Sequence, residues 1–294
     1  MIGLFRHPTA GVLAVLALAA PSVSAARDGA VQMMRMASPA LGDPHHSVRV
    51  YLPPSYQSAD AKSRRYPVVF LLHGWPGGDG NWPGEGRCAE MLDSLSARRE
   101  IPEMIAVMPN GNGVGTLGRS LWLNSADGRS RMEDFLERDL IAWTDSSYRT
   151  VADSAHRIVI GLSDGGTAAF NLVIRYPHRF SGAGSLSGRF RLQKEMGMNG
   201  ALVGSGQAAD EFLAANSPAV LAEHATRQLR GARLYIDCGL ADADLEDNRA
   251  FHAELQRLGV PHTYQEFPGG HGWSYWREHL RDALLALAGP LKRD

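Results

Sequence analysis

Two cysteines in 294 residues, Cys88 and Cys238, are too few for a cross-linked scaffold. Charge of one sign is also missing. The 30 Lys and Arg are matched by 31 Asp and Glu, for a formal net charge of −1. Without a basic excess the chain lacks the electrostatic footprint of a nucleic-acid binder, so no nucleic-acid partner is expected. No His-x-x-x-His or Cys-x-x-Cys spacing occurs, so neither a metal nor a cofactor is expected. There is no internal repeat, low-complexity tract or interdomain linker. Nor is there an apolar run of about 20 residues, the length that spans a bilayer. The run from Gly11 to Ala20 is too short. It follows Arg6 and precedes Pro21-Ser22-Val23-Ser24-Ala25. A charged start, a short apolar stretch and small residues at the end make a secretory signal peptide. Residues 1–25 are therefore expected to be removed, leaving 26–294 as one domain that is exported, either periplasmic or secreted. Cys88 falls in an expected helix and Cys238 closes an apolar strand, so both are expected as buried, unpaired thiols.

What is present is an alternation of short apolar runs and helical stretches. Val48 to Leu52 alternates like a half-buried strand. Val68 to Leu72 is apolar throughout, as a central strand covered on both faces should be. Met104 to Met108, Ile158 to Ile160, Ala183 to Leu186 and Leu234 to Asp237 repeat that character, and Tyr264 to Phe267 reads as a last strand. Between them Glu85 to Arg98, Arg131 to Ser146, Gly166 to Arg175, Asp247 to Leu258 and Ser274 to Ala288 read as helices. That order predicts an α/β fold, a mostly parallel central sheet with helices on both faces and an antiparallel edge. Ala26 to Arg35 is expected to be loosely held. Arg189 to Phe212 is weakly patterned and is expected as an insertion over the site.

The chemistry centres on Gly161-Leu162-Ser163-Asp164-Gly165-Gly166, a G-x-S-x-G between an apolar strand and a helix. Strand, sharp turn and helix make a nucleophile elbow, which holds a serine hydroxyl above the sheet edge. The backbone N–H of Asp164 then faces any oxyanion formed there. A serine hydroxyl is a weak nucleophile and needs a base, which in turn needs an orienting carboxylate. Of 11 histidines, His271 stands in a Gly-rich loop between the last strand and helix, on the edge that carries the elbow. His252 and His279 are expected on solvated helix faces, and His45 and His46 in a polar loop. Asp242, Asp244, Glu246 and Asp247 follow the Leu234–Asp237 strand, and position alone does not choose among them. His73-Gly74-Trp75 follows the central strand, where the backbone of Trp75 would supply a second oxyanion donor, since Pro76 has no N–H.

These residues resemble the esterase branch of the α/β-hydrolases. It includes esterase D (S-formylglutathione hydrolase), feruloyl esterase domains, enterochelin-esterase-like proteins and the antigen 85 mycolyltransferases. The likeness is carried by Val50 to Tyr56, Tyr66 to Gly74, the elbow with Tyr176-Pro177 and Phe180, and Leu186-Ser187-Gly188. Cys238-Gly239-Leu240-Ala241-Asp242 and Pro268 to Trp273 with Trp276 complete it. The resemblance implies the α/β-hydrolase fold, and it implies Asp242 as the acid of a triad with Ser163 and His271. Many relatives have Met after the nucleophile, whereas this chain has Asp164. The expected function is that of an exported serine esterase acting on small-molecule or saccharide-linked esters. The alternatives are acyl transfer, amide cleavage, or a ligand-binding relative without catalysis. Trp75, Trp82, Trp122 and Trp273 are candidates for stacking on sugars or aryl acids, and Trp276 is expected in the core.

Overall fold

The computed structural model describes residues 28–113, 118–289 and 291. The expected signal peptide and its cleavage site lie outside them. Eight strands form one sheet in the order β1-β2-β4-β3-β5-β6-β7-β8. The strands are β1 (Ala30–Ser38), β2 (Asp43–Leu52), β3 (Val68–Leu72), β4 (Ile105–Pro109), β5 (Arg157–Leu162), β6 (Gly182–Leu186), β7 (Arg233–Gly239) and β8 (Thr263–Phe267). β1 pairs antiparallel with β2, and β2 antiparallel with β4; from β4 through β8 every pairing is parallel. The expected sheet is therefore present, with one strand more at its antiparallel edge.

That extra strand corrects the expectation of a loose segment. Ala30 to Arg35 is paired with β2 over its whole length. The strand is an edge with most of its side chains outside the core, so it carries little apolar signal, and the pairing comes from the backbone ladder.

Period-two alternation divides β3 between two cores. Val68, Phe70 and Leu72 join the cluster that includes Phe170 of the helix Asp164–Arg175 and Phe251 of the helix Leu245–Arg257. Val69 and Leu71 join the opposite cluster, with Leu92 of the helix Cys88–Ala97 and Leu280 and Leu284 of the helix Trp273–Ala288. A fully buried apolar side chain contributes about 1.5–3 kcal/mol relative to exposure. A strand buried on both faces must therefore be apolar at every position. The helical stretch 132–147 is wound as a π-helix over Phe135–Leu140. No helix among the described residues is long and apolar enough to cross a membrane.

The segment after β6 is not featureless. It folds into short helices, Gly200–Val203, Gln207–Ala215, Pro218–Ala222 and Thr226–Arg230. Leu192, Met198, Leu202, Val203, Ala209 and Leu213 pack there against Leu121 and Leu123 as a small cluster of their own. Both cysteines are free and buried. His279, expected on a solvated helix face, is buried, and so is His46, which lies in β2 and not in the expected polar loop. His279 stacks on Phe267 at 4.0 Å and bonds to Asp282. His46 is held by Asn110 O at 2.7 Å and by Asp43.

Candidate active site

The parallel strands present their carboxyl ends, and the loops leaving them, at one edge. Ser163 follows β5 there with φ 52° and ψ −123°, outside the regions an L-residue favours. The turn needs room that only glycine gives. A Cβ on Gly161 would lie 2.1 Å from Gly165 O, and one on Gly165 would lie 2.4 Å from Leu72 O. The Ser163 N–H donates to Leu186 O at 3.0 Å, which ties the elbow to β6. Its carbonyl accepts from Gly166 and Thr167, the first bonds of the following helix.

Two loops meet above that turn. His271 Nε2 lies 2.9 Å from Ser163 Oγ. His271 Nδ1 lies 2.9 and 3.1 Å from the two oxygens of Asp242. Asp242 reaches this point because β7 runs parallel to β8 with Gly239 opposite Phe267, so the loops after both strands leave side by side. The Ala241 N–H donates to Gly269 O at 2.8 Å and joins them. The Asp242 side chain is fully buried, while His271 keeps 34% of its side chain exposed. Burial alone would push the Asp242 carboxyl up. The bonds from His271 and from the Asp244 N–H outweigh it and hold it below its ordinary value. An ionised Asp242 against Nδ1 leaves Nε2 as the lone-pair nitrogen toward the serine.

The four acidic candidates thus separate. Asp244 bonds to Arg189 at 2.6 Å and stays 3.9 Å from His271. Asp247 sits inside the first turn of its helix, not at the N-cap, which is Asp244. The Asp247 carboxylate accepts the Phe190 N–H at 2.5 Å and fixes the start of the post-β6 segment. Glu246 is exposed and pairs with Arg249. One oxygen or nitrogen from each of Asp242, Asp244 and His271 could meet at a metal, since these atoms lie within 4.8 Å of one another. Each is already engaged, His271 with Ser163 and Asp244 with the Arg189 guanidinium, an arrangement suited to proton transfer.

The backbone N–H groups of Trp75 and Asp164 have no acceptor among the described residues. The strand below them is braced by His73, buried and neutral: burial holds its pKa below the ordinary value. Its Nδ1 lies 2.7 Å from Gly74 O, and its Nε2 accepts the Gly111 N–H at 2.8 Å. Trp122 Nε1 donates to His73 O at 3.0 Å. Trp82, Trp122 and Trp276 are buried, which leaves Trp75 and Trp273 half-buried and available near the loops.

One functional group escapes any reading of motifs. Arg119 is only 5% exposed and takes both oxygens of Asp164, at 2.8 and 2.9 Å. Asp164 therefore does not carry a bare negative charge beside the serine. The partners are 45 residues apart with no sequence pattern joining them.

Eight strands in this order, with a serine on a strand–turn–helix elbow facing a histidine, define an α/β-hydrolase fold. The particular family follows from comparison. The family model described as "Putative esterase" matches residues 38–287, and the chain belongs to that esterase family. Over 155 residues it is 32% identical to an endo-1,4-beta-xylanase/feruloyl esterase of Xylanibacter ruminicola, a match covering 51% of this chain and 20% of that protein. An esterase of Mycobacterium tuberculosis is 26% identical over 253 residues, 76% of this chain and 52% of its own. A solved ferulic acid esterase is similar with a TM-score of 0.79 at 26% identity, covering 89% of this chain and 98% of that one. The chain spans about half, or less, of the length of the two curated relatives.

Proposed function

We propose that the protein is an exported serine esterase that hydrolyses carboxylic esters through an acyl-enzyme. The observation that carries this reading is the unbroken line from Asp242 to His271 Nδ1, and from Nε2 to Ser163 Oγ, each link at 2.9 Å. Ser163 Oγ attacks the ester carbonyl as His271 takes its proton. The oxyanion is met by the N–H groups of Trp75 and Asp164, each worth about 10²–10³ in rate where such donors have been removed. The elbow helix begins at Asp164, and its N-terminus favours negative charge at that point. His271 then returns the proton to the leaving alcohol, and Asp242 orients the imidazole and stabilises its charged form. Water activated by His271 releases the acid. No step calls on a metal or cofactor.

Feruloyl esters are the first substrate class to try. A feruloyl esterase and a ferulic acid esterase are among the similar proteins, and the half-buried Trp75 and Trp273 offer aromatic faces to an aryl acid. The test is a panel of acetyl, butyryl, longer-chain and feruloyl aryl esters, run on wild type and Ser163→Ala. The reading requires turnover of at least one ester and its loss in the variant. No turnover, or equal turnover in both, overturns it. Export is tested separately: secreted protein should begin at Ala26, and material beginning at Met1 would contradict cleavage.

A further inference from the structure

We propose that Arg119 is a positioning residue that sets the oxyanion site by gripping both segments that donate to it; this rests on the esterase reading above. The guanidinium touches each donor residue through its side chain. Nε and Nη2 hold the two carboxylate oxygens of Asp164 at 2.9 and 2.8 Å, a bidentate fork. The same cation lies over the Trp75 ring, with Cζ 4.9 Å from its centre. The amides of these two residues are the ones that face the oxyanion.

Its remaining N–H groups reach the post-β6 segment. Nη1 donates to Met196 O at 2.7 Å, and Nη2 donates to Glu195 at 3.1 Å. Gly197 follows, so close that a Cβ there would come 2.8 Å from the Trp75 ring and 3.0 Å from Arg119 Cδ. Trp75 therefore carries the cation over one face of its ring and lies beside the Gly197 backbone. Glu195 also meets Arg189, which holds Asp244, whose N–H donates to Asp242. A series of ion pairs, ending in the Asp244 backbone N–H, thus runs from the residue after the nucleophile to Asp242.

The chemistry suits positioning better than substrate binding. Asp164 and Glu195 already occupy the guanidinium, so it has no free face for a substrate anion. A buried ion pair adds little net stability over apolar packing of the same shape, but it fixes geometry where its partners are fully bonded. The role needs a planar fork, which lysine lacks. Oxyanion donors act only if they stand about 2.7–3.1 Å from the developing charge, so a shift of either amide lowers kcat rather than binding.

The experiment compares Arg119→Met and Arg119→Lys with wild type on one aryl ester. It measures kcat, KM, melting temperature and affinity for an aryl boronic acid, which forms a tetrahedral adduct at the serine. We expect Arg119→Met to lower kcat by about 10- to 100-fold, less than outright loss of a donor, with KM within about threefold. Boronate affinity should fall in parallel, and Arg119→Lys should restore only part of both. Should Arg119→Met fail to fold, Glu195→Gln, which weakens the grip from the segment's side, carries the same test with a smaller loss in kcat. Normal kcat in folded Arg119→Met, a rise in KM alone, or unchanged boronate affinity overturns the proposal. Ser163→Ala separates the two claims. If it is dead while Arg119→Met is normal, only the positioning role fails; if it is fully active, the esterase reading fails and the positioning role with it.

Discussion

At the amino ends of β3, β4 and β5 lies a cavity of about 580 Å³, lined in part by Arg64, Arg99, Glu103 and His156. At the carboxyl ends of the same strands, the hollow beside Trp75 and Asp164 measures about 10 Å³. By size alone the first would be chosen. Their contents point the other way. Around the amino-edge cavity, Arg64 pairs with Glu103 and Arg65 bonds to Thr150 O, contacts that close on themselves. Around the carboxyl edge, Ser163, Ser187, Leu121 and Trp122 all take positive φ, against Arg99 at the amino-edge cavity, a strained conformation for side-chain-bearing residues. A serine, a histidine and a buried carboxylate also converge there. Convergent titratable groups at a strained turn single out the carboxyl edge as the candidate reactive edge, against the ranking by volume.

The same contrast recurs within one strand and its loop. Asp237 and Asp242 are five residues apart and both buried. Asp237 lies in the sheet, where burial pushes its carboxyl well above the ordinary value despite the Tyr275 hydroxyl donating to it at 3.0 Å. Asp242 lies past the strand end, where His271 and a backbone N–H hold it down. The surroundings favour the neutral form of one carboxyl and the ionised form of the other.

The largest effect that would break this comparison is at Asp242. Asp242→Asn keeps the shape but presents the wrong group to Nδ1, and kcat should fall by about 10⁴-fold. Asp244→Asn should cost less than about tenfold, because Asp244 is committed to Arg189. Steady-state kinetics on one aryl ester, with melting temperatures alongside, decide it. The reverse ranking would move the acid to Asp244.

A smaller effect sharpens the contrast between the two carboxyls. The unfolded chain releases the Asp237 proton near the ordinary value of 3.8, while the fold retains it to higher pH. Between those values the unfolded state binds fewer protons, so stability falls as pH rises toward the folded value. Asp237→Asn cannot ionise and can still accept from Tyr275. Its melting temperature should therefore gain on wild type by a few degrees as pH climbs from 4 to 8. Asp242 has the opposite sign: its contribution is present above the unfolded value and is lost as pH falls through the folded one. Parallel melting curves for Asp237→Asn and wild type would show that Asp237 is ionised in the fold.

The smallest effect is expected at the amino edge. Arg64 is about half exposed, so its pair with Glu103 is worth no more than about 1 kcal/mol. Arg64→Met should leave kcat and KM within about twofold. A tenfold loss of turnover would mean that the larger cavity takes part in the reaction.

Local signals made much of this molecule legible beforehand. A glycine-flanked serine after an apolar run states its own turn, and the Gly-rich loop around His271 states its place by following the last strand. Asp242 needed more. Four acidic residues share one loop, and the family likeness chose where spacing could not. The structure separates them by what each side chain meets. Arg119 left no trace, because its partners at Asp164, Glu195 and Met196 are 45, 76 and 77 residues away. His279 and His46 were misjudged for a related reason. A histidine's polarity gives no hint that Phe267 or Asn110 will cover it. β1 was missed because an edge strand is held by backbone bonds that side-chain pattern does not report.

At the carboxyl edge Ser163 is expected to be the nucleophile. Intact-mass analysis after treatment with an aryl fluorophosphonate tests it most directly, since the label stays on the attacking oxygen. Wild type should gain one adduct, mapped to the peptide bearing Ser163, with turnover lost in step. Ser163→Ala should gain none. An adduct that persists in Ser163→Ala, or wild-type turnover that disappears while the label sits on another residue, would contradict the account.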